Sequence, residues 1–296
     1  MSHTTQESTS RALSQDKKKK IFLMALMGVL LGMGYLIYRA YFFVTTDDAQ
    51  VQAHTVMISA KLSGFLTHVH VGENEKVKAG QILAVIDRRD YVSKLSQVEN
   101  ELESLAARVQ DDERNYQRIK LLFQKGAVSK QQLDHAEALF QEGSRRLKSI
   151  QTQVDQARLN LEFTEIRAPS DGFIARKSAE VGMLATVGMP LFGFVSSKER
   201  WIEANFKETE LKSMKVGDAV EITVDAIPGR RWIGKVHSLS PATGATFTLL
   251  PPDNATGNFT KVVQRVPVRI QMENLSSEEI EELKAGFSAE VSVRVR

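Results

Sequence analysis

The sequence predicts an α+β fold, mainly β. A long antiparallel coiled-coil hairpin interrupts a β-sandwich, an N-terminal transmembrane helix precedes it and a C-terminal β-barrel follows. Three observations predict this: an uncharged apolar run near the N-terminus, one β-type motif written twice, and two heptad seams between the copies.

The apolar run is Ile21 to Tyr38, IFLMALMGVLLGMGYLIY, with no charge over 18 residues. At about 1.5 Å per residue it covers about 27 Å, close to the ~30 Å core of a bilayer. Lys17 to Lys20 precede it, Arg39 follows, and Tyr41, Phe42 and Phe43 supply an interfacial aromatic belt. The cationic excess keeps the N-terminus in the cytoplasm and places the chain beyond about residue 44 outside the cytoplasmic membrane. The run exceeds the core of a signal peptide, and no A-x-A-like site follows it. Residues 21–44 therefore read as an uncleaved anchor behind a polar cytoplasmic tail, residues 1–20. With the four lysines so explained, a net charge of +3 over 296 residues gives no footprint for nucleic acid. The chain has no cysteine, which removes thiolate catalysis, Cys-ligated zinc and disulfides.

The repeated motif appears on shifting the sequence by 108 positions. Gly64-Phe65 then falls on Gly172-Phe173, Gly80 on Gly188, Leu83 on Leu191 and Asn74 on Gly182. Asn and Gly both tolerate a positive φ, so that exchange preserves a turn. Short apolar runs flank the turns and read as strands. Each copy, about 25 residues, is too small to bury a core, so the two are expected to pack on each other as one sandwich.

Between the copies the period changes. Leu95, Val98, Leu102, Leu105, Val109, Asp112, Tyr116, Ile119 and Phe123 step by three and four. Leu133, Ala136, Phe140, Gly143, Leu147, Ile150, Val154, Ala157 and Leu161 repeat the pattern. These are two a/d seams, and the small residues at 136, 143 and 157 favour close approach. Asp87 is the expected cap of the first helix, from residue 88 to 124 and roughly 55 Å long. Gly126 is its stop. Ser129 and Gln132 form an S-x-x-Q capping box, with Val128 and Leu133 as a hydrophobic staple. Pro169 ends the helical region.

The remainder reads as short antiparallel strands, at 201–206, 219–224, 232–239, 262–272 and 287–296, with a short acidic helix at 276–283 capped by Ser276 or Ser277. Such a set suggests a small barrel, which Thr45 to Ser59 joins as a further strand. The loop Pro241 to Asn258 is long and rich in turn residues.

No enzymatic motif survives inspection. G-x-x-x-x-G-K-[ST], G-x-S-x-G and H-E-x-x-H are all absent. His68-x-His70 puts two imidazoles on one side of a strand, but no third ligand is near in sequence, so the pair reads as exposed histidines and no metal is expected. The sequons at Asn254, Asn258 and Asn274 read as turn asparagines.

The order of anchor, split sandwich, hairpin and barrel resembles the HlyD-type membrane fusion proteins, or periplasmic adaptors. So do TTDDAQVQAHTVMISAKLSG (45–64) and TEIRAPSDGFI (164–174), while TLLPPDNATGNFTKVVQRVPVRI (248–270) resembles the EmrA-like multidrug efflux branch in particular. The likeness covers nearly the whole chain after residue 17. It implies a lipoyl-like sandwich with halves at 60–87 and 164–196, a hairpin at 88–163, a barrel at 197–296 and the strand 45–59 joining that barrel. Gly64, Asn74, Gly80, Gly172, Gly182 and Gly188 are the turn residues of the sandwich. Lipoyl and biotin carriers share that fold, but their target lysine sits on a tight hairpin between the halves. Here Ile86-Asp87-Arg88-Arg89 runs into a helix instead.

The resemblance further implies a non-enzymatic, cofactor-free adaptor of a tripartite efflux pump in the bacterial inner membrane, with most of the chain in the periplasm. Its implied partners are an inner-membrane transporter of major-facilitator type, a TolC-like outer-membrane channel and further copies of itself in a ring. The implied cargo is drugs or other small toxic compounds. A type I secretion-like adaptor for peptides or proteins, and a membrane-tethered coiled-coil scaffold, are the alternatives. Arg118, Leu122 and Ser129 fit R-x-x-x-L-x-x-x-x-x-x-S, which by resemblance marks the channel-docking tip together with Lys125, Gly126, Ala127 and Val128. Read without the resemblance, Ser129 is a helix cap, Leu122 packs on the opposite helix and Arg118 is a solvated charge.

Overall fold

The computed structural model describes residues 41–247 and 262–295, with helical positions 26, 27, 30 and 32–34. Most of the Ile21–Tyr38 run lies outside the described residues, as do residues 248–261, which include 248–258 of the long loop. Among the described residues no helix is long and apolar enough to cross a membrane. The chain divides into two compact units, residues 54–198 and residues 1–53 with 199–296.

The first unit runs β2 (Thr55–Ser59), β3 (Gly64–Val69), β4 (Lys76–Val77), β5 (Ile82–Ile86), α1 (Arg89–Gln124), α2 (Lys130–Phe163), β6 (Glu165–Arg167), β7 (Gly172–Lys177), β8 (Leu184–Ala185) and β9 (Pro190–Ser196). Its strands form two four-stranded sheets, β2-β9-β7-β4 and β6-β5-β3-β8. Every sheet mixes strands from before and after the hairpin. The 108-residue shift holds in the pairing itself: Val77 faces Gly172 and Lys76 faces Phe173, as Ala185 faces Gly64 and Leu184 faces Phe65.

The loop hydrogen bonds follow the same rule. Asn74 N–H donates to Ile174 C=O at 2.7 Å, and Gly182 N–H to Leu66 C=O at 2.8 Å. Gly80 N–H donates to Ala168 C=O at 2.9 Å, and Gly188 N–H to Ala60 C=O at 2.8 Å. The unit thus has an internal two-fold relation in which each copy satisfies the backbone of the other. Neither copy closes alone, because its partners lie across the relation. Leu66 and Ile174, and Leu83 and Leu191, occupy equivalent core positions and are 1% exposed or less. Each such side chain contributes about 1.5–3 kcal/mol.

The helices leave this body where β5 ends and return where β6 begins. Ile86 N–H donates to Thr164 C=O at 2.8 Å, and the Tyr91 hydroxyl to Ser63 C=O at 2.9 Å. Asp87 does not cap α1. The N-cap is Arg88, with no side-chain cap bond. Asp87 instead accepts from the Arg89 backbone at 3.1 Å and grips the Arg89 guanidinium at 2.5 Å. That grip, then the Arg89 backbone N–H, holds its carboxyl down at about 2. A guanidinium two residues away outcompetes the helix N-terminus because it offers a charge-assisted, two-pronged fork.

Along the hairpin the seam residues are buried or half-buried, except Phe123 at the far end. Val98, Val154 and Ala157, with Leu95 and Leu102, form the tightest cluster. Gly143 earns its place by close approach: a Cβ there would meet Val109 Cγ2 at 3.1 Å. The Tyr116 and Phe140 rings stack at 6.0 Å. Glu99 and Arg158 bridge the helices at 3.1 Å.

The second unit is a closed barrel of β1 (Phe43–Gln52), β10 (Trp201–Lys207), β13 (Arg265–Met272), β12 (Trp232–Leu239), β11 (Ala219–Val224) and β14 (Ser288–Arg294), in that order around the ring. Two sequence expectations change here. Phe43 and Val44 belong to β1, paired with Arg294 and Val293, and not to the anchor. The single strand expected over 45–59 is two: β1 enters the barrel, while β2 pairs with β9 in the sandwich. The switch falls at Ala53-His54, where the His54 carbonyl accepts from Ser196 N–H. TTDDAQVQAHTVMIS carries no Gly or Pro at that point, so nothing local announces the change of sheet.

Helix α3 (Ser277–Glu282) is held to the barrel through Glu279. Ser276 caps it in a full capping box. The Ser276 N–H donates to Glu279 Oε2 at 2.7 Å, Trp232 Nε1 to Oε1 at 3.1 Å, and Arg230 bridges to the same carboxylate at 2.5 Å. The Ser276 backbone bond, then the Ser276 side chain, Trp232 and Arg230, lower the Glu279 pKa against the opposing effect of desolvation. A carboxylate with a lowered folded pKa contributes stability that is present above its unfolded value, ~4.3, and lost as pH falls through the folded value. The thermal midpoint of Glu279→Gln is therefore expected below wild type at pH ~7, with the gap closing as the pH drops below ~4. Thermal melts at the two pH values read this, and a gap that widens with acid would contradict it.

Candidate docking site

The free end of the hairpin is built by local chemistry. At the end of α1, Gly126 N–H donates to Phe123 C=O at 2.9 Å and Ala127 N–H to Leu122 C=O at 3.0 Å. This is a Schellman motif, and it requires the left-handed conformation that Gly126 adopts at φ 74°. Three residues on, Ser129 starts α2. Its Oγ accepts from Gln132 N–H at 3.3 Å, and Gln132 Oε1 accepts from Ser129 N–H at 3.0 Å. The turn from Lys125 to Ser129 is thus closed at both ends by satisfied backbone groups, and little side-chain packing is needed to hold it.

That leaves side chains free to face outward. Arg118, Leu122, Lys125, Gly126, Ala127 and Ser129 are exposed, and Val128 is half-buried. Arg118 and Leu122 are four apart on α1 and share a face. Leu122 is 36% exposed. Arg118 forms no ion pair among the described residues. Sequence reasoning missed Leu121. At 59% it is more exposed than Leu122. The signal was present, because 118, 121, 122 and 125 follow the i, i+3, i+4, i+7 rule.

Of the six expected turn residues of the sandwich, four adopt a turn conformation, while Gly64 and Gly172 are the first residues of β3 and β7 and not turn residues. Asn74, Gly80, Gly182 and Gly188 sit at φ 63°, 76°, 85° and 83°. Gly64 and Gly172 instead lack room: a Cβ on Gly64 would lie 2.6 Å from Ile86 Cγ2, and one on Gly172 would overlap the Val195 carbonyl and the Phe194 ring. His68, in β3, and His70, just past its end, are both exposed, and their rings stack at 5.8 Å. Among the described residues no cluster of three or more potential metal ligands occurs.

Comparison with known proteins gives a consistent picture. The profile described as "RND MFP, barrel-sandwich hybrid domain" matches residues 54–196. "CusB-like, beta-barrel domain" matches residues 200–249. The chain is 30% identical to the multidrug export protein EmrA of Haemophilus influenzae, over 98% of this chain and 88% of that one. It is 33% identical to the fatty acid resistance protein FarA of Neisseria gonorrhoeae, over 84% and 75%. Among solved structures, a MacA-MexA chimeric protein carrying the Pseudomonas aeruginosa MexA α-hairpin superposes with a TM-score of 0.61 at 24% identity, covering 86% of this chain and 81% of that one.

Proposed function

The chain belongs to the EmrA-like branch of the HlyD-type membrane fusion proteins, and from that premise we propose that it is the periplasmic adaptor of a tripartite efflux pump. It is a non-enzymatic transport component. The apolar run Ile21–Tyr38 anchors it in the inner membrane beside a transporter of major-facilitator type. Copies pack head to tail into a ring, the arrangement that a heterologous contact closes. The hairpin reaches from the sandwich to a TolC-like outer-membrane channel. The relatives are named for multidrug export and for fatty acid resistance. Small amphipathic compounds are therefore the cargo.

The observation that carries this reading is the hairpin end. Its backbone is closed by a Schellman motif and a capping box, while Arg118 and Leu122 stay exposed on a shared face. The cysteine-free chain makes the test direct. With Ala127→Cys carrying a short photocrosslinker, illumination of whole cells is expected to join the adaptor to an outer-membrane channel. Equal labelling and expression without such an adduct would leave the hairpin without a dock and favour a scaffold that does not transport.

A further inference from the structure

The tip carries a one-sided charge. From Arg114 to Leu133 there are five cations, Arg114, Arg118, Lys120, Lys125 and Lys130, and no Asp or Glu. None of the five forms an ion pair among the described residues; Lys120 only lies over the Tyr116 ring, at 5.6 Å. One of them works against its own helix. Lys130 is the first residue of α2, and the first turn of α2 holds no acid. The positive end of the helix dipole disfavours a cation there and favours a carboxylate. The dipole of α2 therefore does not account for Lys130.

The second observation is geometric. Arg118, Leu121, Leu122 and Lys125 form a stripe at i, i+3, i+4 and i+7, turned about 100° from the seam that faces α2. Leu121 and Leu122 are 59% and 36% exposed. A helix with a second, uncovered stripe is shaped for a second helical neighbour. One stripe-turn back, the same face holds Asp111 and Arg114, so the apolar part spans only the last two turns, about 11 Å.

We propose that the tip docks on an acidic helical rim, with Leu121 as the apolar anchor and Arg118, Lys125 and Lys130 paired to carboxylates of the channel. This rests on the docking reading above and adds the chemistry of the partner. Two adjacent leucines bracketed at i and i+7 by Arg118 and Lys125, without an interfacial tryptophan, fit a helix groove better than a lipid surface.

The test uses the full chain in isolated cell envelopes, with the Ala127→Cys photocrosslinker and mass spectrometry of the joined segment. Raising salt from about 0.1 M to about 1 M shortens the screening length from about 10 Å to about 3 Å. The channel adduct is expected to fall about tenfold across that range and to map to an acidic helical segment. Lys125→Glu with Lys130→Glu is expected to lose it already at low salt. The acid at 130 favours the start of α2 but the acid at 125 disfavours the end of α1, whose C-cap is Lys125, so limited proteolysis of the double variant, with a wild-type pattern expected, separates lost docking from unfolding. Leu121→Ser is expected to lose the adduct at both salt levels, and Lys94→Glu, at the other end of the hairpin, to keep it. A salt-insensitive channel adduct that survives the charge reversal, or attachment to lipid, overturns the acidic partner. No adduct at either salt overturns the docking reading and this proposal together.

Discussion

Gly172→Ala is expected to unfold the sandwich unit and leave the barrel intact. The added methyl would overlap the Val195 carbonyl oxygen, a backbone atom of β9, and the Phe194 ring, which is 2% exposed. Neither can yield without breaking the β7–β9 pairing from Gly172–Ser196 to Lys177–Phe192. The cost falls in the rare class of about 4 kcal/mol or more. Gly182→Ala is the matched control. It has open space around the new methyl but sits at φ 85°, and the cost of a left-handed alanine is only about 1–2 kcal/mol. Limited proteolysis of the detergent-purified chain separates them. Cleavage should spread through residues 54–198 in Gly172→Ala and stay near wild type in Gly182→Ala. Equal resistance of the two variants would show that the close approach at Gly172 does not exist.

Arg118→Asp is expected to abolish export while the folded protein stays at its normal level. The side chain is exposed and forms no ion pair among the described residues, so its replacement breaks no salt bridge of the hairpin. Reversal replaces attraction by repulsion at the proposed contact with an acidic partner. Arginine anchors at interfaces are commonly worth about 2 kcal/mol or more, roughly thirtyfold in affinity. Drug accumulation in cells, read beside an immunoblot of the adaptor, measures both halves of the statement. Normal export at normal protein level would remove Arg118 from the docking surface.

The parts of this molecule that were legible in the sequence are those written within a few residues of each other. The two helices follow from a three-and-four period, because residues at that spacing share a face whatever the partner. The α2 start follows from Ser129 and Gln132, and the α1 stop from Gly126, because a cap is satisfied by neighbours three or four positions away. Less legible were competitions among near neighbours. Asp87 had both a helix start and Arg89 within reach, and only the geometry shows that Arg89 takes it. Leu121 was hidden by its own neighbour, since one stripe on α1 was enough to explain a hairpin.

By itself, then, the sequence determined the helical hairpin, its capped turn and the existence of a repeated β motif, since period, caps and turn residues act locally. Only the tertiary structure decided how the two copies share their hydrogen bonds, with Asn74 serving Ile174 as Gly182 serves Leu66. It also decided where the chain leaves the barrel for the sandwich, between Gln52 and Thr55. The physical reason is the same in both cases. A strand's period of two describes its faces but not its edge partners, and the partners across the hairpin lie far away in sequence, as Val77 does from Gly172 and Ala49 from Ala204.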